Sequence, residues 1–360
     1  MKILTIYGTR PELIRLNLTL KLLDLYTTHI TVHTGQNYDY ELNNIFIKEF
    51  GIRKPNYFLN STGTFAKQIA NSFIKFEKIL KKEKPDKILV LGDTNSSVTS
   101  IIAKRMHIPI FHIEAGNRCY NPYSPEEVNR KIIDHCSDIH IVYSNRSFNN
   151  LRKEGVDQKS IFILGNPITE VLKYYNDKIN NSKILNNLKI KKNKFILVTL
   201  HREENVDDLK KLLKILNLLD QLSESSGVKI IWPMHPRTLN NFSKIKNNFK
   251  NIRIIKPLGF FDFVFLEKNS LLVVTDSGTV QEECSILKIP FIILRDSTER
   301  DETIENGAGL LINNFDLKLN DSIKFLIDSK KFMETPSEYL IENFSYKMLN
   351  LILNDFKYIK

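Results

Sequence analysis

The chain has 360 residues, 42% hydrophobic and 26% charged, with a net charge of +11. That length points to two domains, and that composition to a globular protein rather than a disordered or collagen-like one. No apolar run approaches the ~20 residues of a membrane helix, and three cysteines make no disulfide framework, so a cytoplasmic protein with no membrane partner is expected.

The first element is the apolar run Ile3–Tyr7, read as a core strand and not as a signal peptide. It runs into Gly8-Thr9-Arg10-Pro11-Glu12, which opens a helix. A helix start offers free N–H groups to an anion, and Arg10 and Arg15 add charge for a phosphate. The signature is neither G-x-G-x-x-G nor a P-loop, so no dinucleotide or other cofactor is expected. Strand-like runs follow at Ile30–His33, Ile88–Leu91, Ile110–Ile113, Ile139–Tyr143 and Ile161–Leu164. Asp93 and Glu114 come directly after two of them. Ser124-Pro125-Glu126-Glu127 reads as a helix start, with Ser124 as N-cap, Pro125 at N1 and Glu127 completing a capping box. That leaves Glu126 for chemistry, or for an ion pair with Arg130 one turn on. Three acids in one half suit acid/base work, which needs carboxylates in different environments.

The polar stretch from Tyr175 to Lys194 marks a boundary, giving domains 1–175 and 176–360. The second half has strand-like runs at Phe195–Leu200, Val228–Trp232, Ile252–Ile255, Leu271–Thr275 and Phe291–Leu294, and a helix-period segment at Leu209–Leu222. Strands alternating with helices predict parallel sheets, hence an α/β protein of two doubly wound, Rossmann-like domains. The last helix, about 340–360, is placed to pack back on the N-terminal domain. Ligands of such sheets sit at the carboxyl ends of the strands. His201 and His235 lie there, each near an arginine, which suits a diphosphate. Ser277 and Gly278 present a hydroxyl and an N–H to phosphate, and Glu283 is placed for ribose hydroxyls.

The basic excess is mostly lysine, 39 against 13 arginines, spread along the chain. Nucleic-acid binders gather arginines and aromatics on one face, so no nucleic-acid partner is expected. A diffuse basic field still favours an anionic ligand. No C-x-x-C or H-E-x-x-H spacing occurs, so no metal is expected.

In order, Gly8–Glu12, Gly92-Asp93-Thr94, Glu114-Ala115-Gly116, Pro125–Arg130, Gly165-Asn166-Pro167, His201–Asn205, Asp276-Ser277-Gly278, Gln281-Glu282-Glu283 and Arg295–Arg300 resemble the motifs of the non-hydrolysing UDP-N-acetylglucosamine 2-epimerases. The resemblance covers nearly the whole chain. It implies a GT-B-like pair of domains with the site in the cleft, a homodimer, and a UDP-sugar substrate. It implies inversion at C2 by elimination and re-addition of UDP through a 2-acetamidoglucal, in surface polysaccharide precursor synthesis. Asp93, Glu114 and Glu126 match the family's acid/base carboxylates, and His201 a histidine near the diphosphate. Arg10 and Arg15 match diphosphate-binding residues, Ser277 and Gly278 the phosphate loop, and Glu283 the ribose carboxylate. Arg300 matches a substrate-contacting arginine, and Phe263 an aromatic near uracil. Arg15 stands where lysine is common, Asn117-Arg118 replaces Leu-Arg, and Asn37 stands where a histidine is frequent. Arg15, the Asn-Arg-Cys run and Gly259–Asp262 lean towards the branch forming UDP-N-acetyl-L-fucosamine, and Arg295–Arg300 towards UDP-GlcNAc. A GT-B glycosyltransferase shares the domain plan but needs an acceptor, and the three acids favour the epimerase.

Overall fold

The computed structural model describes residues 1–36, 40–245, 249–313 and 319–356. Asn37 and the side chain of Arg237 lie outside the described parts. The chain divides into two compact units, one of Met1–Lys173 with Ser337–Lys360 and one of Tyr174–Pro336. Both are α/β.

The first unit is built on β1 (Lys2–Tyr7), β2 (Thr28–His33), β3 (Tyr57–Phe58), β4 (Lys87–Leu91), β5 (Ile110–Ile113), β6 (Ile139–Val142) and β7 (Ile161–Ile163), in the order β3-β2-β1-β4-β5-β6-β7. Every pairing is parallel. Strands buried on both faces explain why the central ones are continuous apolar runs, as in Ile88–Leu91. Strand order reverses between β1 and β4, so the chain leaves those two strands in opposite directions. That divergence opens a crevice at their carboxyl ends.

Three helices of this unit matter for the site and for the C-terminus: α1 (Arg10–Tyr26), α2 (Pro125–Cys136) and the last helix (Phe344–Leu353). The last helix packs on α1 and is pinned at both ends. Ser345 donates its N–H (2.9 Å) and hydroxyl (2.6 Å) to Glu170, a carboxylate at a helix N-terminus. At the other end the Lys87 ammonium takes the carbonyls of Ile352 (2.8 Å) and Asn354 (2.6 Å).

The second unit has β8 (Phe195–Thr199), β9 (Lys229–Pro233), β10 (Ile252–Ile255), β11 (Leu272–Thr275), β12 (Phe291–Ile293) and β13 (Gly309–Leu311), in the order β10-β9-β8-β11-β12-β13. It too is parallel throughout, and its order reverses between β8 and β11. Two strands, β3 and β13, were not anticipated. β3 is two residues long, and β13 begins with glycine. Gly309 sits against β12 where a Cβ would run into the Phe291 ring.

Candidate functional site

In the first unit the expected residues gather at the β1/β4 reversal and on the neighbouring β5 loop. The start of α1 differs from expectation. Glu12 folds back and accepts from the N–H of Gly8 (3.0 Å) and of Thr9 (2.7 Å) and from the Thr9 hydroxyl (2.7 Å). These two N–H groups are therefore taken by Glu12 and not open to a ligand. Glu12 also accepts from the Thr94 hydroxyl at 3.0 Å, which ties the β1 loop to the β4 loop beside Asp93.

Burial pushes the Glu12 carboxyl from an ordinary 4.5 up to about 7, against the pull of its hydrogen bonds. The folded chain thus holds this proton to higher pH than the unfolded chain. The stabilisation is full below pH 4.5 and is lost as pH rises towards 7, about 3 kcal/mol in all. Glu12→Gln should remove this slope. Its stability should fall less than the parent's between pH 5 and 7.5 in urea titrations, and parallel curves would contradict the assignment.

Arg15 and Glu114 form a buried ion pair, 3% and 5% exposed. The Arg15 guanidinium lies 6.0 Å from the Tyr143 ring centroid. Glu114 has φ of +72°, a left-handed backbone uncommon for a residue with a side chain. It is held so because the N–H groups of Glu114 (3.0 Å) and Ala115 (3.2 Å) both reach the Ile141 carbonyl. Gly116 follows at φ +77°, where a Cβ would strike the Ser147 carbonyl. Behind the loop, buried Asp134 accepts from Gly116 N–H (3.2 Å) and Arg118 (2.8 Å) and contacts His112 (2.8 Å). His112 in turn meets the Gly92 carbonyl at 3.1 Å. Burial raises the Asp134 carboxyl but is outweighed by His112 and Arg118, which hold it down at about 2. One carboxylate thus braces the loops carrying both Asp93 and Glu114. His112 lies inside the strand-like run Ile110–Ile113, and nothing in the spacing marks either it or Asp134.

Asp93 pairs with Arg130 at 2.6 Å. Glu126, at the second position of α2, is half-buried and accepts from the Ser124 hydroxyl at 2.8 Å. The reciprocal cap expected of Ser124 and Glu127 does not form. Ser124 is the N-cap in extended geometry, but its side chain caps no N–H. Glu127 is buried instead and accepts from Cys119 N–H (3.0 Å) and Arg130 (3.1 Å), because the Cys119 loop passes over the helix start. Glu127→Ala should therefore cost about 1–3 kcal/mol, the range for leaving the Cys119 N–H without its acceptor, since Arg130 keeps its pair with Asp93. Urea unfolding within about 0.5 kcal/mol of the parent would contradict this.

In the second unit the β8/β11 reversal is bridged by His201 and Asp276. Asp276 is fully buried and accepts from the N–H of His201 (3.1 Å) and Arg202 (3.0 Å) and from Asn205 (3.1 Å). Its Oδ1 lies 3.1 Å from His201 Nδ1, while the imidazole is half exposed. Burial raises the Asp276 carboxyl, and His201 and these N–H groups more than offset it, so it stays below the ordinary range. The pair turns Nε2 outward. Asp276 lay in a quoted motif, but its bond to His201 depends on two strands becoming neighbours.

Ser277 caps α4 (Gly278–Leu287), the helix that leaves β11, with its hydroxyl bonded to no N–H of that helix. Here α3 denotes the preceding helix, Phe260–Asn269. A Cβ at Gly278 would collide with the Arg300 guanidinium. Arg300 is buried and donates to Glu282 at 2.6 Å and to Glu299. Its closeness to Gly278 places it beneath the Ser277-Gly278 turn. His235 follows β9 and Phe263 lies on α3, both half-buried. Arg10, at the first position of α1, has its guanidinium 5.9 Å from the Phe46 ring. Glu283 is buried on α4. Among the described residues no group of three His, Cys, Asp or Glu has metal-holding geometry, and no helix is long and apolar enough to cross a membrane.

Comparison with known proteins bears on this arrangement. Residues 24–353 match the model of the family described as UDP-N-acetylglucosamine 2-epimerase. Over 350 residues the chain is 39% identical to the UDP-N-acetylglucosamine 2-epimerase of Methanocaldococcus jannaschii, covering 93% of this chain and 95% of that one. A crystal structure of the UDP-GlcNAc 2-epimerase of that organism, in complex with UDP-GlcNAc and UDP, superposes with a TM-score of 0.90 at 35% identity, covering 98% and 99%. The UDP-2,3-diacetamido-2,3-dideoxy-D-glucuronate 2-epimerase of Pseudomonas aeruginosa is 35% identical over 318 residues, covering 87% and 88%.

Proposed function

This chain belongs to the non-hydrolysing UDP-N-acetylglucosamine 2-epimerase family, a family of isomerases, and from that premise we propose that it interconverts UDP-N-acetylglucosamine and UDP-N-acetylmannosamine by inverting C2. The observation that carries the reading is the set of three carboxylates, Asp93, Glu114 and Glu126, at the carboxyl end of one sheet, each in a different setting. Asp93 pairs with Arg130, Glu114 pairs with Arg15, and Glu126 accepts from the Ser124 hydroxyl.

The C2 hydrogen has no carbonyl to acidify it, so it leaves only as the C1–O bond breaks. A carboxylate takes the C2 proton, the C–H electrons form the C1=C2 bond, and the C1–O pair departs with UDP. The 2-acetamidoglucal then receives a proton at C2 on the opposite face while UDP oxygen re-adds to C1. Two proton-transfer groups are needed, one for each face. Carboxylates gathered at one sheet end can divide these two roles.

The reading gives the nucleotide to the second unit. Ser277 and the N-terminus of α4 take diphosphate oxygens, with His201 and His235 alongside. Phe263 serves uracil, and Glu283 the ribose diol. Arg300 acts through the Gly278 loop, and Arg15 through Glu114. The product is an activated amino sugar, suited to surface polysaccharide precursor synthesis. Val128 and Ile132, exposed one turn apart on α2, support a homodimer as the working unit, and three unpaired cysteines support a cytoplasmic setting.

Purified protein given UDP-GlcNAc should yield UDP-ManNAc to a fixed ratio that is reached from either side. Free ManNAc accumulating with UDP would overturn the proposal.

A further inference from the structure

Strand β5 delivers Glu114 at its exit, and the two residues before that exit grip the β4 loop. The Gly92 N–H donates to the Ile113 carbonyl at 2.9 Å. The Gly92 carbonyl lies 3.1 Å from His112 Nε2. Both polar backbone groups of Gly92 are thus engaged by β5, one residue ahead of Asp93. Gly92 has φ of +70°, and a Cβ there would lie 3.5 Å from Glu114 Oε2, so the Glu114 carboxyl sits close over this glycine. The Asp93 carbonyl is held separately, by Asn129 Nδ2 of α2 at 2.9 Å.

His112 is only 1% exposed, and both its ring nitrogens are engaged. Nδ1 lies 2.8 Å from Asp134 Oδ1, while Asp134 Oδ2 accepts from Gly116 N–H and Arg118. A carbonyl on one side and a carboxylate on the other are both acceptors. Each nitrogen therefore faces a group to which it can only donate.

We propose that His112 is a positioning residue for the proton transfers: through the Gly92 carbonyl it fixes where Asp93 stands relative to Glu114, while Asp134 anchors the ring. Buried as it is, it acts through the loop and not on the substrate. The inference rests on the reading of Asp93 and Glu114 as acid/base carboxylates. Groups that work on opposite faces of C2 need a set separation, and a misplacement of about 1 Å can cost about a hundredfold in rate. A histidine of purely structural value would affect stability alone.

The test compares His112→Gln with His112→Asn by steady-state kinetics on UDP-GlcNAc, UDP titration and thermal unfolding. The Gln amide nitrogen reaches the place of Nε2 and can donate to Gly92, whereas the Asn amide nitrogen takes the place of Nδ1 and can donate only to Asp134. Each variant forfeits one of the two hydrogen bonds, so both should melt below the parent by similar amounts. Turnover should separate them. His112→Gln should keep kcat within about threefold of the parent, and His112→Asn should lose about tenfold or more, with KM and UDP affinity within about twofold in both. Equal kcat losses in the two variants, a parental kcat in His112→Asn, or a larger loss in His112→Gln would overturn the proposal. A raised KM at unchanged kcat would overturn it too, since the lost interaction would then be one of binding. If His112→Asn does not fold, a loss of about tenfold or more in the kcat of His112→Gln overturns the proposal. A parent inactive on UDP-GlcNAc would remove the epimerase reading itself, and this inference with it.

Discussion

Glu126→Gln is expected to turn over at least about a hundredfold more slowly than the parent while binding UDP with unchanged affinity, since positioned acid/base groups contribute roughly 10²–10⁴-fold. The substitution keeps the volume, and its carbonyl oxygen still accepts from Ser124 as the carboxylate does at 2.8 Å. What is lost is the carboxylate charge and, with it, the capacity for proton transfer. Glu126 suits this test because the helix start does not depend on it: Pro125 occupies the first position, and Glu127 holds the Cys119 loop. Steady-state kcat with UDP titration separates chemistry from binding. A variant with parental kcat would remove Glu126 from the reaction.

The second large effect is on stability. Arg15→Met should cost about 3–5 kcal/mol, the scale for breaking a buried ion pair by removing one partner. Glu114, only 5% exposed, is left without its cation, so its carboxyl is driven to hold a proton in the folded chain. The loss should therefore grow as pH rises above the ordinary carboxylate range. The double variant Arg15→Met/Glu114→Gln should recover most of the stability but none of the turnover. Urea unfolding of the parent, Arg15→Met, Glu114→Gln and the double variant forms the cycle. A double variant as unstable as Arg15→Met would show that the cost lies in lost arginine packing and not in the stranded charge.

The sheets were legible because parallel strands are buried on both faces and read as short apolar runs. Ile110–Ile113 and Ile252–Ile255 coincide with β5 and β10. β3 was not legible, since two residues between polar segments carry no periodicity. Candidate residues were recognisable by their place after strands, and strand order explains why that place matters. Asp93 and Arg10 flank one reversal, and His201 and Ser277 the other.

What the spacing could not give was the partner of each polar side chain. Ser124-x-x-Glu127 has the form of a capping box, yet a loop brought in by tertiary folding drew Glu127 inward. Thr9-x-x-Glu12 has the same form, and there the reciprocal cap closes. Local pattern is identical in the two cases, and the surrounding chain decides.

The most direct measurement is a proton NMR time course of purified protein with UDP-GlcNAc in D2O. The account predicts UDP-ManNAc carrying deuterium at C2, with deuterium also entering the UDP-GlcNAc pool as the reaction reverses. UDP-ManNAc that keeps its original C2 proton with no solvent deuterium, or no conversion of UDP-GlcNAc at all, would contradict it.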